Sequence, residues 1–279
     1  MKSPFLQGPG FLADVERVRQ EPEGLHVWWL GQSGFLISWE GTYLLVDPYL
    51  SDSLTRKYAG TDKPHVRMTE RVTAPEDLTF VDIVTSSHNH TDHLDAETIK
   101  PLFAANPSLD VIVSAANRGF AAERLSVPPE RLISISSREP VDIGPFVFYA
   151  VPAAHEDFET DEEGNHRYIG LTIGAGPWTL YHAGDTVLYE GMEEYLQKWH
   201  VDVALLPING RSPERRVAGN LSAREAVQLA KAIDAGLVVP CHYDMFEFNT
   251  VSPDEFEAAA RAAEVPYRIL QNGERLSLP

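Results

Sequence analysis

Residues 86–95 read SSHNHTDHLD and follow an apolar, β-branched run, Phe80 to Thr85, that has the pattern of a buried strand. The cluster of His88, His90, Asp92 and His93 therefore sits on the loop leaving a strand. Imidazole nitrogens and carboxylate oxygens are the donors that bind Zn, Mn or Fe. With 10 histidines in 279 residues, the spacing HxHxDH arises by composition about once in a thousand such chains. A merely solvated polar loop would leave that spacing without a cause.

Three later segments share the same placement. PFVFYAVPAAHED (145–157) reads as a strand running into His155, WTLYHAGDT (178–186) as one ending at Gly184 and Asp185, and GLVVPCHYD (236–244) as one delivering His242. In sheet-based folds, sites gather where strands end, because loops aim side chains while the sheet stays rigid. Five His and two Asp exceed what one four-coordinate ion needs. They suit two divalent ions sharing a bridging carboxylate.

Outward from these segments, residues 11–20 carry apolar positions at helical spacing, so a short peripheral helix is expected. LHVWWL, FLISW and TYLLVDP follow as strands, with a hairpin at Glu40 and Gly41. Trp28 and Trp29 read as core and sheet-edge packing. The turn Gly31, Gln32, Ser33, Gly34 either exposes backbone N–H groups toward a ligand or is an ordinary glycine turn. Residues 49–75 form a long polar segment of the length that functional lids have, although its His65, Arg56, Lys57, Lys63 and Arg67 are individually expected to be solvated. Strands at 110–115, 132–136, 167–174 and 201–207 alternate with helices at 117–125 and 188–199. Ser222 with Glu225 is a capping box, Ser252 with Pro253 starts a last helix, and YRIL and ERLSL close the chain as strands.

The formal charge is 23 minus 41, or −18, with a pI near 4.9. Phosphate backbones and anionic lipid attract basic proteins, so this balance argues against nucleic acid and membrane as partners. The expected partner is a small anionic substrate held in a locally basic pocket, and a homo-oligomer is allowed. Cys241 is the single cysteine, which fits a reducing compartment, and alternation along its strand turns it into the core.

HxHxDH followed by a later His, an Asp and a last His resembles the metallo-β-lactamase superfamily motif, in the right order between residues 28 and 242. The resemblance implies an α/β four-layer αββα sandwich as one domain over residues 1–279. It also implies that His88, His90 and His155 hold one metal, that Asp92, His93 and His242 hold the second, and that Asp185 bridges them. LLPINGR (205–211), GNLSAREAVQLA (219–230) and VVPCHYDMFEFN (238–249) further resemble the L-ascorbate-6-phosphate lactonase group, which is cytoplasmic and manganese-associated.

The expected cofactors are thus two divalent ions, Mn or Zn, which together lower the pKa of a shared water and supply hydroxide at neutral pH. The expected reaction is opening of a phosphorylated sugar lactone such as L-ascorbate 6-phosphate, with Asp92 orienting the nucleophile and moving its proton. A phosphodiester or another ester is the alternative, since the nucleophile would be the same. Arg211, Arg215 and Arg216 supply local positive charge, and Arg211 is the first candidate for binding the phosphate. Asn209, Tyr243 and Asp244 adjoin the site segments as candidate substrate-facing or supporting residues. His182, three residues before Asp185, is either a partner of that carboxylate or a packed strand-end histidine.

Overall fold

The computed structural model describes residues 1–20, 23–215 and 218–279. The first half of the chain forms α1 (Pro9–Gln20), β1 (Leu25–Gly31), β2 (Gly34–Trp39), β3 (Thr42–Val46), the one-turn α2 (Ser53–Lys57), β4 (Ile83–Ser86), α3 (Ala96–Ala105), β5 (Asp110–Ser114), α4 (Arg118–Leu125) and β6 (Ile133–Ile135). The second half forms β7 (Val141–Ile143), β8 (Phe146–Pro152), β9 (Ile169–Ala175), β10 (Trp178–His182), α5 (Met192–Leu196), β11 (Val203–Pro207), α6 (Ala223–Ala232), β12 (Leu237–Cys241), α7 (Asp254–Ala263) and β13 (Arg275–Leu278).

These strands make two mixed sheets, ordered β13-β1-β2-β3-β4-β5-β6 and β12-β11-β10-β9-β8-β7. Both faces of each are covered, and the alternation of side chains along a strand distributes the apolar residues between layers. On β1, Val27 and Trp29 join the core that includes Phe146, Phe148 and Leu171 of the second sheet, while Trp28 and Leu30 pack with Phe11, Val15 and Ile99 of α1 and α3. The expected αββα layering follows. Both tryptophans are core and neither lies at a sheet edge: β1 lies between β13 and β2, and the Trp28 indole nitrogen donates to Asp14 on α1 at 2.9 Å. At the hairpin, Glu40 and Gly41 both have positive φ, 48° and 76°, the backbone that two-residue hairpin turns need.

Several elements depart from expectation. α3 interrupts a stretch in which no helix was expected, because Pro101 lies inside it, yet Asp95 caps its start by accepting from the Glu97 N–H. The helix expected over 188–199 shrinks to α5, and YRIL (267–270) is only a single-bridge contact beside β12. The 49–75 segment is not uniformly solvated. Tyr49, Leu50, Leu54 and Arg67 are buried, and Arg67 donates to Asp52 at 2.7 Å, to the Ser51 carbonyl and to Met245 Sδ.

The strand directions explain why the site residues can meet. β4 runs parallel to β3 and β5, and β10 parallel to β11 and β12. β8 is antiparallel to β9, which is antiparallel to β10, so β8 runs with β10. The loops leaving β4, β8, β10 and β12 carry His88 to His93, His155, Asp185 and His242. Gly184, just before Asp185, has φ +60°, and a Cβ there would lie 2.8 Å from the Ile169 carbonyl oxygen and 2.9 Å from Ser87 Cβ. Backbone is in the way, so the strain cannot be relieved by a side-chain rotation. Gly184→Ala is expected to destabilise the metal-free protein by about 2 kcal/mol or more in urea unfolding, with strain and overpacking adding; an unchanged midpoint would show that the β10 exit adapts freely.

Candidate metal centre

The seven residues converge into two adjoining groups. His88, His90, His155 and Asp185 place ligand atoms within 4.8 Å of one another, and so do Asp92, His93 and His242. Asp185 lies between the groups: Oδ2 is 3.6 Å from His155 Nε2 and 3.4 Å from His242 Nε2, while Oδ1 is 3.3 Å from His93 Nε2. His88 Nε2, His93 Nε2 and Asp185 Oδ1 are buried without a hydrogen-bond partner among the described residues. Burying polar atoms in that state costs free energy unless something satisfies them. Imidazole and carboxylate donors aimed at a common point fit divalent cations, so the donor set passes the test that bound metal would require.

Neighbouring groups fix how each imidazole faces. Asp47, one residue past β3, receives the His93 Nδ1–H at 2.5 Å and the Ser87 hydroxyl at 2.5 Å on Oδ2, and the Ser87 N–H at 2.8 Å on Oδ1. Ser87 Oγ in turn accepts from His88 Nδ1 at 3.0 Å. One carboxylate thereby holds two rings with Nε2 turned toward the centre. The Gly219 carbonyl does the same for His155, accepting from Nδ1 at 2.8 Å. Gln32 reaches in from the other side: its amide nitrogen donates to Asp92 Oδ2 at 2.9 Å and lies 3.1 Å from His242 Nε2. The glycine turn thus meets the centre through a side chain and through carbonyls, since the Gln32 carbonyl accepts the His242 N–H at 2.9 Å.

The electrostatics follow from burial and crowding. Burial drives the His88 pKa well down, and the neighbouring charge on His93 adds to that. Burial also opposes charge on His93, but Asp185, Asp92 and Asp47 together outweigh it and hold His93 well above the ordinary imidazole value. Burial would raise Asp185, yet His93 and His242 pull it well below the ordinary carboxylate range. Without metal, a protonated His93 stands where a cation is wanted.

Not every candidate joins the cluster. Arg211 is ion-paired to Glu225 at 2.6 Å and lines a separate cleft with Asn209 and Arg215, so the structure does not bring it to the histidines. Asn209 is buried, tied to Asn249 at 3.1 Å and Asn220 at 3.0 Å. Tyr243 packs against Trp29 with centroids 4.6 Å apart and donates to the Leu270 carbonyl, so it faces core rather than substrate. Asp244 pairs with Lys2 at 2.7 Å. Arg215 donates to Asn249 and to the Asn209 carbonyl, and Arg216 lies outside the described residues. His182 bonds the Ser33 carbonyl at 2.9 Å rather than Asp185, which anchors the glycine turn beside β10. Cys241 is buried, as alternation implies.

Asp47 and Gln32 carry functions that the sequence reading did not assign. Asp47 had a usable signal, an acid directly after the wholly apolar strand TYLLV. Above the cluster opens a cleft of about 440 Å³, walled by the 49–75 segment, by the His90 loop and by α4. The segment expected to be a lid is therefore a wall of this cleft.

Residues 42–243 match the family described as the beta-lactamase superfamily domain. The chain is 28% identical over 254 residues to a UPF0173 metal-dependent hydrolase of Caldivirga maquilingensis, covering 90% of this chain and 97% of the relative. Its fold is similar to that of a metallo hydrolase from the archaeon Ignicoccus hospitalis, with a TM-score of 0.66, 20% identity and coverage of 91% and 98% of the two chains. It is also similar to the metallo-beta-lactamase fold protein YhfI of Bacillus subtilis, with a TM-score of 0.67, 19% identity and coverage of 92% and 100%.

Two measurements probe this arrangement. Asp47→Asn removes the charge that orients His93 and, through Ser87, His88, so affinity for Zn or Mn is expected to fall about 10–100-fold in a chelator competition titration; undiminished affinity would show that the rings are held by packing alone. Because His93 is held protonated above its ordinary pKa while a metal ligand must be neutral, metal binding should release a proton near pH 7 and weaken as pH falls. Calorimetry in buffers of different ionisation enthalpy reads that proton directly, and a buffer-independent heat would contradict it.

Proposed function

The chain belongs to the beta-lactamase superfamily, and on that premise we propose that its histidine and aspartate cluster is a two-ion centre that opens a small lactone or ester by hydrolysis. The observation that carries the reading is Asp185, whose two oxygens reach ligand atoms of both groups, while His88 Nε2, His93 Nε2 and its own Oδ1 are buried without a hydrogen-bond partner among the described residues. That curated relatives are named metal-dependent hydrolases supports the reaction class.

In this reading His88, His90 and His155 hold one ion, Asp92, His93 and His242 the other, and Asp185 serves both. Divalent ions held there supply Lewis acidity and a water acidic enough to attack at neutral pH. The chain's own residues supply the rest. Asp47 and Gly219 keep the imidazole Nε2 atoms pointed inward. Asp92, with Gln32 donating to one of its oxygens, retains the capacity to accept a proton from the attacking water. Buried neighbours limit solvent around the reacting carbonyl, which strengthens every charge interaction in the cleft.

As the substrate, a phosphorylated sugar lactone such as L-ascorbate 6-phosphate rests on the C-terminal resemblance and not on Arg211, whose ion pair with Glu225 lies in another cleft. The donor set accepts manganese or zinc, and metal availability decides much of which ion is held. No helix among the described residues is long and apolar enough to cross a membrane, and a cytoplasmic location suits the single thiol.

Elemental analysis of protein purified without added metal, followed by a hydrolysis screen after Mn or Zn addition, tests this reading. About two ions per chain with lactone or ester opening is the expected result. His90→Ala should lower turnover more than a hundredfold, since even residues behind the ligands cost about 10–100-fold. Cleavage confined to bis(4-nitrophenyl) phosphate would move the reaction to phosphodiesters, and full turnover in metal-free protein would overturn the centre altogether.

A further inference from the structure

The imidazoles of the centre are not held alike. His88 is tied at Nδ1 by Ser87 Oγ at 3.0 Å and His93 at Nδ1 by Asp47 at 2.5 Å, while Nε2 of both is buried without a hydrogen-bond partner among the described residues. His242 is the reverse. Its Nδ1 is the buried atom without a partner among the described residues, and its Nε2 lies 3.1 Å from the Gln32 amide nitrogen. Yet Nε2 is the atom that faces the carboxylates of the centre, 3.4 Å from Asp185 and 3.8 Å from Asp92.

Gln32 reaches this position from a fixed base. It is buried, its backbone stands at φ +51°, and its carbonyl accepts both the His242 N–H at 2.9 Å and the Trp29 indole N–H at 3.0 Å. The next carbonyl, that of Ser33, bonds His182 Nε2 at 2.9 Å. From that turn the side-chain amide sends one hydrogen to Asp92 Oδ2 at 2.9 Å and has its second for His242 Nε2. The opposite orientation would set the amide oxygen against the Asp92 carboxylate, so the nitrogen faces the pair. Because an amide NH2 only donates, His242 Nε2 is the acceptor and the ring proton sits on Nδ1. That is the tautomer a ligand nitrogen at Nε2 needs.

The two acceptors differ in capacity. A carboxylate oxygen has two lone pairs, so Asp92 Oδ2 can keep the amide and still bind an ion. An unprotonated imidazole nitrogen has one, so at His242 Nε2 the amide and an ion exclude each other. We propose that Gln32 is a latch on the second-ion site: its amide holds His242 in the orientation and tautomer of a ligand, and gives up Nε2 when the second ion is bound. The proposal rests on the two-ion reading above. Its consequence is ordered loading. In the first group His88 Nε2 has no such occupant, whereas the second ion displaces a hydrogen bond and is held more weakly for it. Where hydrolysis needs both ions, turnover follows occupancy of the weaker site.

The test is a calorimetric titration of chelator-stripped protein with zinc at one fixed pH. Wild type should bind two ions in two steps, the second weaker. Gln32→Met keeps an unbranched stem and removes the amide, so the second ion should bind about five- to tenfold tighter while the first is unchanged. Gln32→Glu keeps the shape and, as a carboxylate, cannot donate; it should tighten the second step as well, which separates the lost donor from altered packing. A weaker second step in Gln32→Met overturns the latch, because the amide would then be serving the bound ion. An unchanged second step, or two sites of equal affinity in wild type, overturns it too. Should wild type bind a single ion, the two-ion reading is what fails, and the latch is then judged by Gln32→Met: a second ion gained upholds it, and one ion in both proteins overturns it.

Discussion

The centre depends on a single buried carboxylate. Asp47 has no exposed surface, and its backbone sits at φ +44°, a strained conformation for a residue with a side chain. Three donors offset the cost of burying its charge: the Ser87 N–H, the Ser87 hydroxyl and His93 Nδ1. Its own N–H bonds the Thr85 carbonyl at 3.0 Å, so the carboxylate is stitched to β4, the strand that delivers the histidine loop. Parallel pairing of β3 with β4 is what puts an acid from one beside the first residues after the other. The tautomers of His88 and His93, and with them the direction of two metal-facing nitrogens, are consequences of that pairing.

The histidine and aspartate motif was legible because its chemistry is carried by residue type and spacing, and because four apolar runs announced the strands that bring it together. Convergence of those strand ends needed only their common direction, which βα alternation implies. Substrate-side residues were not legible. Arg211, Asn209 and Tyr243 adjoin site segments in sequence, but adjacency along a chain leaves open which way a side chain turns. Arg211 turns to Glu225 of the capping box, Asn209 into a buried amide network, and Tyr243 onto Trp29. α3 was invisible for a local reason, since Pro101 breaks the pattern that propensity recognises while Asp95 and burial of Ile99 and Leu102 hold the helix anyway.

The 49–75 segment shows how a stretch without periodicity is ordered by tertiary contacts. Arg67 is the pin: its guanidinium binds Asp52 and the Ser51 carbonyl at one end of the segment and Met245 at the other side, while its backbone bridges Phe246. Tyr49, Leu54, Met245 and Phe246 form a small apolar cluster around it. Met245 and Phe246 follow His242 by three and four residues, so the wall of the cleft is packed on the same loop that supplies a ligand.

That coupling gives the site a consistent electrostatic logic. The aspartates and histidines form a compact floor whose carboxylates cations neutralise, and Lys57 and Arg124 line the cleft above it. Arg67 and the stacking of His65 on Tyr58 order the wall that carries Lys57. The contacts that order the wall thereby also shape the space above the ligand residues, and a substrate must fit that space for its reacting group to reach them.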